Sequence, residues 1–248
     1  MRTSAQSRTR TREVAIAARA RRRSRRSRTV QGELFARTWG GPRKGSGRKP
    51  RGPRRRVSHR PREGFPAGCP VHVTLRLAEG LPSLRQRATY RALLAALGGG
   101  CERFGMRLVH WSALGNHLHL MVEACGQSAL SRGMQGLGVR LARALNRSWG
   151  RSGRVFADRY HAHVLRSPTE VRRVLNYVLQ NARHHKIDIV GADPFSSAAW
   201  FDGWLGGERG TAAAPERPAW LRVARTWLLA HGWRRLGLLD IDAWPSAP

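Results

Sequence analysis

The chain has 248 residues, a formal net charge of +31 at pH 7 and a pI near 12.0. A surface this basic argues against cationic partners and favours polyanions, of which nucleic acid is the most common. No run approaches the roughly 18 apolar residues of a membrane span. Three cysteines without CxxC spacing do not form a disulfide framework, so we expect a soluble protein of a reduced compartment.

The basic charge is concentrated in residues 1–62, which hold 22 Lys and Arg against two acids. This segment is rich in Arg, Ser, Gly and Pro and lacks apolar periodicity, so we expect a disordered, arginine-rich DNA-binding arm. Its stretch from Gly45 to Arg56 resembles an AT-hook, a segment that lies in a narrow minor groove. A solvated basic linker is the alternative of equal weight. The expected DNA contacts of the arm are Arg48, Lys49, Arg51 and Arg54.

A folded domain is predicted over residues 63–205, from alternating apolar residues in strands and helical spacing between them. Its predicted elements are, in chain order, a strand over 71–77, a helix over 82–104, a hairpin of strands 107–113 and 117–122, a helix over 127–149, a strand over 155–165, and a helix from the capping sequence at Ser167 to about His185. This order predicts an α+β fold: a ferredoxin-like antiparallel sheet backed by helices, with an extra C-terminal helix. Residues 206–248 are predicted to form a linker and a Trp-rich tail, helical over 219–239.

Four residues suggest a chemical site. His117 and His119 alternate with apolar residues on the second hairpin strand, so both imidazoles point to one face and can bind a metal ion. Tyr177 and Asn181 stand four apart on the last predicted helix and share one face. A divalent ion held by two imidazoles and an amide oxygen would draw charge from a phosphate, and a phenol oxygen one turn away could attack phosphorus. A tyrosine nucleophile keeps the energy of the cleaved bond, so strands can be rejoined.

Two alternatives compete with this interpretation. Tyr160 could be the nucleophile, and His161 and His163 form a second HxH pair that could join His117 and His119 in a zinc site. We rank the zinc site lower, because Tyr160 is expected to point the same way as its neighbouring histidines. Other expected DNA contacts are Arg159, Tyr160, Arg183 and the stretch His184-His185-Lys186.

The sequence Asn116–Val122 (NHLHLMV), followed by Tyr177–Asn181 (YVLQN), resembles the single-tyrosine HUH transposases, especially the REP-associated tyrosine transposases. Arg159–His161 and Pro194–Ala198 lie in the order that this family shows. The resemblance covers residues 70–205, which leaves the arm and the Trp-rich tail outside it.

The resemblance implies an endonuclease that uses Mg²⁺ or Mn²⁺ to cleave and rejoin single-stranded hairpin DNA through a 5′-phosphotyrosine, leaving a free 3′-OH. By position, Tyr177 is then the nucleophile, His117 and His119 are metal ligands, and Asn181 is the third ligand. A cytoplasmic, nucleoid-associated enzyme is expected, with a homodimer as one arrangement, since in dimeric relatives the tyrosine helix can serve the partner's histidines.

The sequence departs from the family pattern in two places. Gly115 stands where many relatives have proline, which should affect only the turn, and the arginine-rich arm exceeds what the core reaction requires. An alternative function is therefore a non-catalytic nucleic-acid-binding protein derived from a transposase, whose arm binds by counterion release.

Overall fold

The computed structural model describes residues 64–206 and 216–242 of the chain. The arginine-rich arm lies outside the described residues, as do its expected DNA contacts Arg48, Lys49, Arg51 and Arg54. The proposed division into arm, domain and tail therefore stays a prediction.

Five antiparallel strands form a single sheet. They are β1 (Val71–Arg76), β2 (Glu102–Arg103), β3 (Met106–Ala113), β4 (His117–Ala124) and β5 (His161–Val164). Their order across the sheet is β2-β3-β4-β1-β5, and β1 pairs with β4 along its whole length, from Val71 opposite Val122 to Arg76 opposite His117. The order β3-β4-β1-β5 is that of a ferredoxin-like βαββαβ unit, with β2 added at one edge. The predicted α+β fold is confirmed.

Helices cover both faces of the sheet. They are α1 (Arg87–Gly98), α2 (Gln127–Ser148), α3 (Pro168–Leu179), α4 (Asn181–His184) and α5 (Trp227–Ala230), with 3₁₀ turns at Ala198–Trp200 and Gly232–Leu236. α1 and α2 pack on one face, where they enclose Val73, Leu118 and Leu120. α3 and the C-terminal segments pack on the other face, around Met121. No helix within the described ranges is long and apolar enough to cross a membrane.

The helix that carries Tyr177 begins as the sequence predicts. Ser167 Oγ accepts a hydrogen bond from the Glu170 amide at 3.2 Å, and the Glu170 carboxylate accepts one from the Ser167 amide at 3.2 Å. This reciprocal cap, with Pro168 in the first turn, stabilises a helix start by about 1 kcal/mol. It determines the residue at which α3 begins.

The same helix ends earlier than predicted. α3 stops at Leu179, and Gln180 leaves the helical region with φ −112° and ψ 18° before the short helix α4 begins. The Gln180 amide nitrogen donates hydrogen bonds to Asn176 Oδ1 at 2.7 Å and to the Asp240 carbonyl at 2.9 Å. Tyr177 and Asn181 therefore lie on either side of a break rather than on one continuous helix.

Two further elements are shorter than predicted. The first helix ends at Gly98 instead of Phe104, because the three glycines at 98–100 let the chain turn into β2. The strand predicted over 155–165 is limited to β5, and its earlier part makes only an isolated bridge between Phe156 and Leu77.

The C-terminal tail is only partly helical. Helical structure is confined to α5 and the following 3₁₀ turn, and residues 216–226 are irregular. Buried Glu123 accounts for part of this, because its carboxylate accepts hydrogen bonds from the backbone amides of Arg225 and Thr226. An amide bound to a carboxylate of the sheet cannot form a helical hydrogen bond, so α5 starts only after Thr226.

Candidate active site

The predicted site residues of β4 and α3 converge on the sheet face opposite α1 and α2. The rings of His117 and His119 have centroids 4.9 Å apart, and the His119 ring lies 5.4 Å from that of Tyr177 in an edge-on arrangement. His72 from β1 stacks on His119 at 5.2 Å. A single chain thus brings the two histidines and the tyrosine together, and a homodimer stays a prediction.

One ring nitrogen of His119 has no hydrogen-bond partner among the described residues. Its Nδ1 lies 2.9 Å from His72 Nε2 and 3.3 Å from Thr74 Oγ1, whereas its Nε2 is buried without a hydrogen-bond partner among the described residues. Metal-binding histidines commonly donate their second N–H to a neighbouring acceptor, which leaves the other nitrogen for the ion. A proton on Nδ1 that is shared with His72 would leave the lone pair of His119 Nε2 available in this way.

The hydrogen bond between Asn116 and His117 determines which ring nitrogen of His117 carries the proton. The Asn116 Oδ1 atom lies 2.7 Å from His117 Nδ1, and an amide oxygen can only accept a hydrogen bond. His117 Nδ1 must therefore carry the proton, and its Nε2 carries the lone pair. The two histidines thus offer the same nitrogen. Asn116 and His72 are supporting residues that the sequence analysis missed, although Asn116 is part of the motif itself.

Burial keeps these imidazoles neutral. It lowers the pKa of His117 to about 4, with the charges of His185 and Arg76 adding to the effect. Burial also lowers the pKa of His72 to about 4, helped by His163 and His161, and depresses the pKa of His119 further. The neutral imidazole is the form that binds metal ions, so all three are in that form at neutral pH.

Tyr177 and Asn181 remain neighbours in spite of the break between their helices. Burial raises the pKa of the Tyr177 phenol, and the Asn181 amide opposes part of that shift. Their contact is not a full hydrogen bond, because both polar atoms of the Asn181 side chain lack a partner within the described part of the chain. Asn181 is completely buried, and buried polar atoms without partners are uncommon unless a ligand satisfies them.

The nitrogen and oxygen atoms at this site are suitable ligands for a divalent cation. At this site Nε2 of His119 and the side-chain amide of Asn181 have no hydrogen-bond partner in the described part of the chain, and Nε2 of His117 is a third possible ligand atom. Within residues 64–206 and 216–242 no three His, Cys, Asp or Glu side chains lie together in a way that could hold a metal ion. The alternative zinc site pooled from four histidines is therefore not formed there, and any metal site at this position needs a ligand such as Asn181.

Tyr160 lies on the wrong side of the sheet to compete with Tyr177. It packs with Ala162 and Val164 against the core that α1 and α2 enclose. His161 and His163 alternate with these residues and are exposed. The expectation that Tyr160 points the same way as its neighbouring histidines is wrong, because successive strand residues point to opposite faces.

The other predicted DNA contacts of the folded part are only partly accessible. Arg183 binds its own loop: its guanidinium donates hydrogen bonds to the carbonyls of Ile189 and Gly191 at 3.1 and 3.2 Å. Arg159 is half-buried and its Nε lies in the interior. Arg183 thus has a structural role, and DNA contacts by Arg159 and Tyr160 stay predictions.

An open cavity of about 530 Å³ adjoins His117. Its lining includes Thr74, Arg76, Asn116 and His185. Arg76 is exposed and pairs with His117 across β1 and β4, so a cationic side chain stands beside the first histidine of the pair. An anion that enters this cavity would meet a guanidinium and an imidazole edge together.

Comparisons with known proteins find similarity at the level of solved structures. No family model matches the sequence, and no curated protein matches it. A solved structure of a REP-associated tyrosine transposase bound to a REP hairpin is similar over 57% of this chain and 82% of that one, with 17% sequence identity and a TM-score of 0.47.

Proposed function

We propose that this protein is a transposase-type enzyme that cleaves and rejoins single-stranded hairpin DNA, with Tyr177 as its nucleophile. The observation that carries the proposal is the contact between the Tyr177 and His119 rings, 5.4 Å apart, beside a buried His119 Nε2 that has no partner among the described residues. The proposed nucleophile and a nitrogen that could bind a metal ion thus lie next to each other on one face of the sheet. The strongly basic chain would favour the approach of DNA to this site. The sequence resemblance to single-tyrosine HUH transposases supports the same chemistry.

In the proposed reaction the Tyr177 oxygen attacks a backbone phosphorus. A phosphorus–oxygen bond to tyrosine forms, the bond to the 3′ oxygen breaks, and the 3′ oxygen leaves as a hydroxyl after it takes up a proton. The product is a 5′-phosphotyrosine and a free 3′-OH. Attack by a 3′-OH on this phosphotyrosine reverses the step and rejoins strands without an external energy source.

The tyrosine must lose its proton during attack, because burial raises its pKa and the phenol is protonated at neutral pH. His184 is suited to accept that proton, since its ring centroid lies 5.3 Å from that of Tyr177 and no ligand role is assigned to it. Asn181, on the same side, can orient the phenol oxygen.

His117, His119 and Asn181 would hold Mg²⁺ or Mn²⁺ in this proposal. When bound, the cation would act as a Lewis acid on the scissile phosphate. Arg76 adds a positive charge beside His117 and can contact a non-bridging oxygen of the same phosphate. Asn116 would hold His117 in the required tautomer, and a proton on His119 Nδ1 that is shared with His72 would do the same for His119.

The test uses 5′- and 3′-labelled single-stranded hairpins from the DNA that flanks the gene, with Mg²⁺, Mn²⁺ or EDTA, followed by denaturing electrophoresis. We expect the 3′-labelled strand to become attached to protein and the 5′-labelled fragment to be released with a 3′-OH, both only with metal. Tyr177→Phe should abolish the adduct while DNA binding persists, and Tyr160→Phe is the matched control that should retain it.

Other outcomes contradict parts of the proposal. An adduct on the 5′-labelled fragment would reverse the polarity of the reaction. Tight, salt-dependent binding without an adduct on any hairpin would instead support the non-catalytic nucleic-acid-binding alternative.

A further inference from the structure

The turn between β2 and β3 holds an aromatic ring at the surface in a strained backbone. Phe104 and Gly105 both have positive φ, 57° and 76°, as in a two-residue type I′ hairpin. Asn-Gly or Gly-Gly is usual there, because the left-handed region is unfavourable for a bulky side chain. The Phe104 side chain is nevertheless 47% exposed, so burial does not compensate for the strain. Strain of this kind often marks a site of function.

Two arginines lie against this ring. The guanidinium carbons of Arg132 and Arg103 are 4.9 and 5.6 Å from the Phe104 ring centroid. Neither arginine forms an ion pair with a carboxylate in the part of the chain that the structure describes. The turn therefore combines an exposed aromatic face with two arginines that no carboxylate of residues 64–206 and 216–242 pairs with.

The ring also borders an open groove of about 650 Å³. A second aromatic side chain, Trp227, lines it and is 51% exposed. Arg103 and Arg225 contribute cationic walls. The Arg225 guanidinium lies 3.9 Å from the Glu102 carboxylate, and its side chain is 73% exposed, so it also remains open to the solvent.

The carboxylates of this groove are already engaged. Glu102 lies 2.9 Å from the guanidinium of Arg222, within ion-pair distance. Glu123 accepts hydrogen bonds from the backbone of Arg225 and Thr226 and lies 3.4 Å from the Arg107 guanidinium. Their charge is thus compensated inside the protein, and the groove surface that remains is aromatic and basic.

We propose that this groove binds single-stranded DNA, with bases stacked on Phe104 and Trp227 and phosphates held by Arg103, Arg132 and Arg225. The proposal deepens the proposed function and rests on it for the identity of the nucleic acid. Aromatic platforms in a basic groove are how proteins bind single strands, because unpaired bases have free faces to stack. In a duplex those faces are covered by neighbouring bases.

The groove is a contact separate from the candidate active site. It lies at the end of the hairpin where Met106 pairs with Ala124, whereas His117 opens β4 at the other end. An eight-residue strand spans about 23 Å, so the groove would hold DNA well away from the scissile phosphate. It would position the substrate strand rather than take part in cleavage.

Phe104→Asn tests the proposal without disturbing the turn. Asn-Gly is the preferred type I′ pair, so the variant should melt at the same temperature as the wild type or above it. The variant lacks the stacking surface, so its affinity for a fluorescein-labelled single strand should fall about tenfold. Fluorescence anisotropy in the presence of EDTA measures this affinity. Phe104→Trp keeps a stacking surface and should bind at least as well as the wild type.

The matched control is Val190→Asn, because Val190 is an apolar side chain that is 97% exposed and lies outside the groove. It should bind the single strand as the wild type does. Phe104→Asn should bind a blunt duplex of the same sequence with unchanged affinity.

Unchanged single-strand binding by Phe104→Asn, or equal losses for single strand and duplex, would overturn the groove proposal. The covalent-adduct assay on the wild type keeps the two proposals apart. An adduct on the wild type together with unchanged Phe104→Asn binding means that only the groove proposal fails. No adduct, together with weakened single-strand binding, means that the groove stands and the proposed transposase activity fails.

Discussion

The two faces of β4 differ in what their side chains do. Leu118 and Leu120 point into the core between the sheet and α1 and α2, where they are almost completely buried. His117 and His119 alternate with them and point to the other face, where His119 Nε2 is buried without a partner among the described residues. One strand therefore contributes hydrophobic burial on one side and, on the other, a buried nitrogen without a hydrogen-bond partner among the described residues. A polar atom that is buried without a partner costs stability, and the ligand-binding role that we propose for this face would account for that cost.

The largest expected effect is on the histidine face. His117→Ala removes one imidazole of the proposed metal site and should slow adduct formation roughly a thousandfold or more, because a bound cation contributes several kcal/mol to such a step. His163→Ala, an exposed histidine of β5, is the matched control and should react normally. Rates are measured in single-turnover reactions with Mn²⁺. A fully active His117→Ala protein would contradict a role of the histidine face in the reaction.

Leu118→Ala tests the opposite face one residue further along the strand. The side chain is 1% exposed, so truncation should leave a cavity and lower the free energy of unfolding by about 2–5 kcal/mol. His117→Ala should change that free energy by less than about 1 kcal/mol, since His117 is only half-buried. Urea denaturation measures both. Equal losses in the two variants would contradict the division of roles.

His110 sharpens the comparison, because it is a histidine with a partner inside the fold: its Nδ1 lies 3.2 Å from Ser197 Oγ. Burial lowers its pKa to about 4, with Asp202 and Arg217 acting in opposite directions. The unfolded chain therefore binds more protons than the folded one between about pH 6.5 and 4. The free energy of unfolding should fall as the pH falls through this window, by up to about 3 kcal/mol from this residue.

His110→Gln should flatten this dependence by that amount, and denaturation curves at pH 7, 5.5 and 4.5 give the comparison. Identical slopes for the variant and the wild type would show that His110 does not contribute to it.

The smallest expected effect concerns the residue that assigns the tautomer of His117. Asn116→Leu removes the acceptor of the His117 Nδ1 proton and should weaken Mn²⁺ binding by about ten- to hundredfold. Asn116→Asp keeps an acceptor and should bind Mn²⁺ at least as well as the wild type. Calorimetric titration with Mn²⁺ in the absence of DNA measures this directly. Equal affinity in Asn116→Leu and the wild type would mean that the hydrogen bond does not prepare the ligand.

Much of the fold follows from local sequence signals. Alternation over the β3 and β4 hairpin, and the cap at Ser167 and Glu170, predict where these elements lie and which face the histidines share. The order of the elements predicts a ferredoxin-like sheet backed by helices.

The features that sequence reasoning missed depend on contacts between distant segments. His72 reaches His119 only because β1 pairs with β4 in one register, and the sequence does not specify that register. Gln180 ends α3 through a hydrogen bond to the Asp240 carbonyl, 60 residues away. In the sequence Glu123 is an ordinary strand residue, yet its carboxylate accepts a hydrogen bond from the backbone amide of Thr226 in the C-terminal tail.

The most direct test of the central claim identifies the residue that becomes attached to DNA. The three tyrosines, Tyr90, Tyr160 and Tyr177, lie in different tryptic peptides of this arginine-rich chain. The adduct formed on a hairpin with Mn²⁺ is digested with nuclease and trypsin and analysed by mass spectrometry. We expect a nucleotide phosphate on the peptide Val174–Arg183, attached to Tyr177. A nucleotide on the Tyr160 peptide, or on a serine elsewhere, would contradict the assignment of Tyr177 as the nucleophile.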